Sequence, residues 1–273
     1  MAIFPNKHTQ LCMSLAARPG NFGTRFHNYL YQALELDYFY KAFTTTDLAA
    51  AISGIRALGI RGCAVSMPFK EACIPLVDEL DASAASIASI NTIVNTEGYL
   101  KAYNTDYLAI RQLIETHALT PDRSLALRGS GGMAKAVACA FRDAGFAQAT
   151  VIARNALAGP ALAQQCGYHW QAAAEGVDAD ILVNVTPVGM AGGLEADALA
   201  FSHQAIERAS VVFDVVALPA RTPLVIAGEA AGRHVITGQD VVALQALEQF
   251  ALYTGVRPSA ELVAEATAFA CAG

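Results

Sequence analysis

Short apolar runs alternate with helix-length amphipathic segments along the whole chain, the pattern of an α/β protein. In the first third, strands are predicted near Gln10–Ala16, Tyr38–Phe43 and Gly62–Met67. Helices are predicted near Phe22–Leu36 and Thr46–Leu58, the second opened by Thr46-Asp47 as cap residues. Pro68 ends the third strand, and a helix is predicted to begin near Lys70. Asn91–Asn95 and Tyr99–Tyr103 flank Thr96-Glu97-Gly98, a three-residue loop with glycine that predicts a β-hairpin. A helix follows near Asp106–His117, and Thr120-Pro121-Asp122 reads as a loop and a candidate domain junction.

A second α/β unit opens with a strand at Ser124–Leu127, a glycine loop and a helix at Met133–Ala144. In that helix Met133, Ala136, Val137, Ala140, Phe141 and Ala144 form one apolar face. A strand at Ala149–Ala153 completes a βαβ unit of about 30 residues. Further strands are predicted at Ile181–Asn184, Val211–Val215 and His234–Ile236, and helices near Gln239–Tyr253 and Ser259–Ala270. His27, Trp170 and the tyrosines 29, 31, 38 and 40 read as structural, core or strand-face residues.

Composition narrows the class. At 273 residues the chain is long enough for about two domains. Its 54 % hydrophobic content excludes disorder, and its net charge of −6 argues against a nucleic-acid surface. No apolar run approaches the roughly 18 residues of a membrane span. Met1–Lys7 lacks the pattern of a secretory signal. Six scattered cysteines without a CxxC pair predict buried, reduced thiols, with no disulfide framework and no metal site. The expectation is a cytoplasmic protein without nucleic-acid or membrane partners.

The glycine loop carries the first chemical signal. Gly129-Ser130-Gly131-Gly132-Met133-Ala134 matches G-x-G-x-x-A between a predicted strand and a predicted helix. The first glycine allows the tight turn, the second lets backbone approach a pyrophosphate, and the small third position lets helix and sheet pack closely. The phosphates would lie on free N–H groups at the positive end of the helix. An NAD site usually places a carboxylate about 20 residues further on. Here that stretch reads Val151-Ile152-Ala153-Arg154-Asn155, without one. Arg154 suits a 2′-phosphate, which favours NADP and leaves NAD open; the competing reading is a solvated residue at a strand end.

Three polar blocks precede this loop: Ser66-Met67-Pro68-Phe69-Lys70, Ser89-Ile90-Asn91-Thr92 and Asn104-Thr105-Asp106. After it come Asn184-Val185-Thr186-Pro187-Val188-Gly189-Met190, Phe213-Asp214-Val215, Thr222-Pro223-Leu224, and Gly238 with Gln245. In content and order these blocks resemble the shikimate dehydrogenase family over nearly the whole chain.

The resemblance implies an N-terminal α/β substrate domain (1–106 and 238–273), because Gln245 must return near Lys70. A Rossmann-type dinucleotide-binding domain (107–237) is inserted within it, and the C-terminal helices return to the substrate domain. It further implies a catalytic pair, Lys70 and Asp106. A carboxylate favours the charged ammonium whereas a base needs the free amine, so the two are assigned jointly to proton transfer and orientation. Asn21, Gly23, Ser66, Asn91, Thr92 and Gln245 fall at substrate-binding positions. Gly129, Ser130, Gly131, Gly132, Met133, Ala134, Arg154, Asn184, Thr186, Val215 and Gly238 fall at cofactor-binding ones. The implied partner is a small cyclic hydroxy acid, acted on by a monomer or homodimer.

Four positions depart from the family pattern. Asn21 and Gly23 stand where two serines commonly meet the substrate carboxylate. Ala64 replaces an asparagine and Ala217 a tyrosine. Three lost contacts at about 1–1.5 kcal/mol each would cost about 3–4.5 kcal/mol of binding. The expectation is therefore weak activity on shikimate, or a related preferred substrate. A quinate-type dehydrogenase using NAD and a non-catalytic dinucleotide sensor are the competing readings; retention of Lys70, Asn91 and Asp106 favours an enzyme.

Overall fold

The computed structural model describes residues 5–272. Met1–Phe4, the start of the segment read for a signal, lies outside them. The described residues divide into two compact units, one running up to Thr105 and resuming at Ala243, the other spanning Asp106–Val242.

The first unit runs β1 (Gln10–Leu15), α1 (Phe22–Ala33), β2 (Tyr38–Phe43), α2 (Leu48–Ala57), β3 (Gly62–Val65) and α3 (Phe69–Ala72). A 3₁₀ turn at Ile74–Leu76 leads to β4 (Glu79–Leu80), α4 (Ala82–Ala85), β5 (Thr92–Thr96) and β6 (Tyr99–Tyr103). Its six strands lie in the order β2-β1-β3-β5-β6-β4. The β2-β1-β3 side is parallel, and β5 runs antiparallel to both β3 and β6. Asp47 caps α2, its carboxylate accepting from Ala50 N at 2.9 Å. The hairpin turn is one residue shorter than predicted. Thr96 pairs with Tyr99, leaving Glu97-Gly98 as a two-residue turn. Both residues have positive φ (53° and 89°), the twist that suits paired strands.

The second unit comprises α5 (Thr105–Thr116, entered from β6), β7 (Leu125–Arg128), α6 (Gly132–Asp143), β8 (Ala149–Ile152), α7 (Ala158–Cys166), β9 (His169–Gln171) and β10 (Ile181–Asn184). It continues with α8 (His203–Arg208), β11 (Val211–Asp214), α9 (Pro223–Ala230) and β12 (His234–Ile236). All its strand pairs are parallel, in the order β12-β11-β10-β7-β8-β9. This is the doubly wound dinucleotide-fold order, whose direction reverses between β7 and β10.

Two helices complete the chain, α10 (Gly238–Thr254) and α11 (Ala260–Cys271). Within the first unit, α11 packs on α1. The Arg25 guanidinium donates to Phe269 O at 2.7 and 3.1 Å, and Tyr29 Oη bonds Glu265 at 3.1 Å. Phe26, Leu30 and Tyr31 of α1 share a buried cluster with Phe250, Tyr253, Val263 and Ala266. The architecture is the one the resemblance implies: an N-terminal α/β unit, a Rossmann-like unit and C-terminal helices that return to the first. The structure adds that the first sheet is mixed, the second all-parallel, and that the C-terminal helices pack against α1.

Five of the six cysteines are buried thiols. Cys271, against expectation, is exposed. Trp170 is 38 % exposed on β9, and its indole donates to Ala153 O at 3.2 Å, so it is a strand-face residue and not core. No described helix is long and apolar enough to cross a membrane. Among the described residues, no group of three His, Cys, Asp or Glu side chains is placed to hold a metal.

Candidate active site

Asn91 anchors the polar centre of the first unit. Its backbone is held on both sides, with Asn91 N donating to Tyr103 O at 3.0 Å and Val65 N donating to Asn91 O at 2.7 Å. Its side chain is buried, and Oδ1 accepts from Thr105 N (2.7 Å), Thr105 Oγ1 (3.0 Å) and Thr92 Oγ1 (2.9 Å). Gln249 of α10, also buried, donates to Thr92 Oγ1 at 3.2 Å. The Asn91 amide Nδ2 has no partner among the described residues, although it is fully buried. Leaving such a donor unpaired costs about 1–3 kcal/mol, which makes this amide a candidate donor to a bound ligand.

Two backbone connections lead from Asn91 to the predicted catalytic pair. Ile90 N donates to Lys70 O at 3.1 Å, tying the four-residue helix α3, with half-buried Lys70, to the strand that starts beside Asn91. Thr105, bonded to Asn91, is followed directly by Asp106 in the first turn of α5; Asp106 is 8 % exposed. Lys70, Asn91 and Thr92 are thus gathered by the first unit's own backbone. Asn104 is buried and structural, its amide donating to Ser89 O at 3.0 Å.

The remaining predicted substrate residues are placed as follows. Asn21 is exposed at the N-cap of α1 and makes no side-chain cap bond. Gly23 lies in the first turn of α1, where an added Cβ would stand 3.4 Å from Tyr40 Oη, an ordinary contact. Ser66 is exposed beyond β3, its N–H donating to Leu15 O at 2.9 Å. Gln245 is half-buried on α10. Gln249 was not read from the sequence. It lies one helical turn beyond Gln245, so i,i+4 spacing was the available signal.

In the second unit, four of the predicted cofactor residues, Gly129, Ser130, Arg154 and Thr186, line a groove of about 760 Å³; Gly131, Gly132, Met133, Ala134, Asn184, Val215 and Gly238 are not part of its lining. Gly129 has φ +137°, and a Cβ there would come within 2.8 Å of Val185 O, so no side chain fits this turn. Gly131 is the N-cap of α6, and Gly132 and Met133 form its first turn. Added Cβ atoms at Gly131 or Gly132 would meet no described atom within 4 Å, so backbone N–H groups are approachable there. Ala134 is fully buried against the sheet, the close packing expected of the third small position.

Register brings the second loop alongside. Arg128 of β7 pairs with Asn184 of β10, so the glycine loop and the Val185–Met190 loop leave neighbouring strands at the same end. Asn184 is fully buried. Its amide donates to Asp214 Oδ1 (2.9 Å) and Val188 O (3.1 Å), while its carbonyl accepts from Thr186 N (3.1 Å) and Thr186 Oγ1 (2.6 Å). Asp214 also accepts from Thr222 Oγ1 at 2.6 Å and Val216 N at 3.0 Å; burial pushes its carboxyl upward. Asn184 therefore shapes the loop, and Thr186 faces the groove. Val215 N donates to Asn184 O at 3.0 Å. Gly238 is buried beneath Val216, whose carbonyl a Cβ would strike at 2.4 Å. Arg154 is exposed at the end of β8, with its guanidinium 3.5 Å from the Glu195 carboxylate.

The chain as a whole is similar to known proteins. Residues 22–93 match the shikimate dehydrogenase substrate binding domain. Over 265 residues the chain is 57 % identical to the shikimate dehydrogenase-like protein of Haemophilus influenzae, covering 97 % of this chain and 98 % of that one. It is 34 % identical to the NADP(+) shikimate dehydrogenase of Pyrococcus abyssi, covering 87 % of this chain and 89 % of that one. The solved Thermus thermophilus shikimate 5-dehydrogenase, in complex with NADP(H) and shikimate, superposes with a TM-score of 0.85 at 26 % identity, over 96 % of this chain and 99 % of that one.

Proposed function

The chain belongs to the shikimate dehydrogenase family, and from that premise we propose that it is an NADP-dependent dehydrogenase of a cyclic hydroxy acid. The reaction is the reversible reduction of 3-dehydroshikimate to shikimate, or of the ketone of a closely related ring, with shikimate itself a poor substrate. The unit that ends at Thr105 and resumes at Ala243 binds the substrate, and Asp106–Val242 binds the nucleotide.

The observation that carries this reading is the unpaired, buried Asn91 amide beside Thr92 and Thr105, a donor reserved for a ring hydroxyl. A bound nicotinamide would supply or accept the hydride at the reacting carbon. Lys70 and Asp106 hold the reacting oxygen and carry its proton, and Gln245 and Asn91 orient the ring through its hydroxyls. The groove fits a dinucleotide. Gly129, Ser130 and the first turn of α6 would hold the pyrophosphate, and Arg154 a 2′-phosphate.

Poor use of shikimate follows from lost polar partners. At the carboxylate positions Gly23 offers no side-chain donor and only Asn21 remains, and Ala64 and Ala217 lack the polar groups of the family pattern. The test is a panel of cyclic hydroxy acids with NAD and NADP, followed by absorbance of the reduced cofactor. NADP-linked turnover of one member, with shikimate slow, is the expected result. Shikimate turnover at the efficiency of a dedicated pathway enzyme overturns the substrate reading, and nucleotide binding without any turnover overturns the enzyme reading.

Gly23→Ser gives a second check. Its Cβ fits against Tyr40 with ordinary contact, and the hydroxyl restores one donor. KM for shikimate is expected to fall by about five- to tenfold with kcat little changed.

A further inference from the structure

The sequence around Arg154 contains no carboxylate of the kind that NAD sites place at the end of the second strand, yet the fold brings one there from elsewhere. Glu195 lies 41 residues further along the chain, and its Oε2 stands 3.5 Å from Arg154 Nη2. We propose that Glu195 is a determinant of cofactor choice. It competes with a 2′-phosphate for Arg154 and presents an acceptor to a 2′-hydroxyl, so that the chain prefers NADP only weakly.

Both partners are fixed by their backbones. Ala153 N donates to Gln171 O at 3.0 Å, and the Asn155 side chain accepts from Leu157 N and Ala158 N at 3.0 and 2.9 Å, holding the end of β8 on either side of Arg154. Glu195 O accepts from Gly189 N at 2.9 Å and Ala198 N at 3.2 Å, and Ala191 N donates to Leu218 O at 2.9 Å. The loop that begins at Val185 therefore returns its acidic residue to the arginine, and only side chains need move when a ligand arrives.

The charges at this end of the groove oppose a strong 2′-phosphate site. Arg128 is partly buried, and its guanidinium donates to Ala200 O; burial pulls its pKa down. Arg128, Arg154, Glu175 and His203 line the groove, and Glu195, paired with Arg154, also acts electrostatically on Arg128 together with Glu175. The two carboxylates offset the two guanidinium groups, so a phosphate dianion gains no surplus positive field. A 2′-hydroxyl meets no such opposition and finds in Glu195 the acceptor that NAD sites usually provide. The Arg154–Glu195 pair is exposed, with side chains 80 % and 43 % accessible, so on its own it resists opening only weakly. Its effect falls on discrimination, because repulsion acts on the phosphorylated ribose alone.

The inference rests on the reading of Arg154 as the 2′-phosphate residue, and the experiment separates the two. NADP and NAD are titrated on the full chain by calorimetry, with 2′,5′-ADP and 5′-ADP as hydride-free probes, for wild type, Glu195→Gln, Arg154→Ala and the double variant. Glu195→Gln is expected to tighten NADP and 2′,5′-ADP by about three- to tenfold and to leave NAD unchanged or weaker. The gain is expected to disappear when Arg154 is alanine and to shrink at high salt. If Arg154→Ala weakens NADP but Glu195→Gln shifts neither cofactor, or both equally, the Glu195 proposal is overturned and the NADP reading stands. If Arg154→Ala leaves NADP binding unchanged, both fall together.

Discussion

Lys70→Met is expected to lower kcat with the best cyclic substrate by about 10²–10⁴-fold while leaving NADP affinity unchanged. Lys70 is on α3, a four-residue helix with no buried residue, so replacing it creates no cavity and the folded protein is available for assay. A methionine keeps the length of the aliphatic stem while removing the ammonium proposed to hold the reacting oxygen. Asp106→Asn keeps the shape of the first turn of α5 and is expected to cause a loss of similar size. The double variant should fall little below the worse single one, because two groups that serve one proton act as a unit. The measurement is steady-state kinetics beside a calorimetric NADP titration and a thermal melt. Activity within tenfold of wild type in a folded Lys70→Met protein would remove Lys70 from the chemistry. A lower kcat with an equally weakened NADP affinity would place it in cofactor binding instead.

The sequence made legible whatever depends on local chemistry. Alternating apolar runs predicted β2, β10 and β12 to the residue, and Gly129, which tolerates no side chain, marked the tight turn after β7. Less was legible where a residue's role is set across the fold. Asn184 belongs to a block that resembles a nicotinamide loop, yet its side chain is consumed by Asp214, Thr186 and Val188. The bond to Asp214 exists only once β10 and β11 pair, and nothing in the local string of residues announces it. Glu195 lies in a loop with no regular pattern, far along the chain from Arg154. The helix α7 and the strand β9 were not read at all. Ala158–Cys166 and His169–Gln171 are short, and Gly159 is accepted only because Trp170 and Ala153 crowd the space a Cβ would take. Periodicity is weakest in such elements, whose stability comes from tertiary neighbours. Gln249 shows the same limit from the other side: its spacing from Gln245 was visible, but its burial against Thr92 was not.

Stability is expected to fall as pH drops from about 6.5 toward 3, and His27→Phe is expected to remove much of that loss. His27 is fully buried on α1, stacked on Tyr40 with centroids 4.5 Å apart and rings 10° from parallel, among Phe26, Tyr31, Phe250 and Tyr253. Neither ring nitrogen makes a hydrogen bond of full geometry; burial pushes the imidazole down to about 3, against a smaller upward pull from the Gln249 side chain. The ionisable neighbours in this cluster, Cys12, Tyr31, Tyr40 and Tyr253, are all pushed upward by burial and so stay neutral throughout the acid range. The folded protein therefore holds His27 neutral, while the unfolded chain protonates it below its ordinary value of 6.5. Between those two values the unfolded state binds the extra proton, so each pH unit downward costs up to about 1.4 kcal/mol; above 6.5 the contribution is complete and flat. The acidic groups elsewhere titrate alike in wild type and variant, so they cancel in the comparison. Phenylalanine keeps a ring in the stack and removes the titration. From pH 7.5 to 5.0, wild type is expected to lose about 2 kcal/mol more than His27→Phe in urea unfolding. Far-UV circular dichroism is the appropriate probe, because the single tryptophan, Trp170, lies in the other unit. Parallel losses in the two proteins would mean that His27 takes up its proton without leaving the folded state, and that the stacked pocket admits a charge.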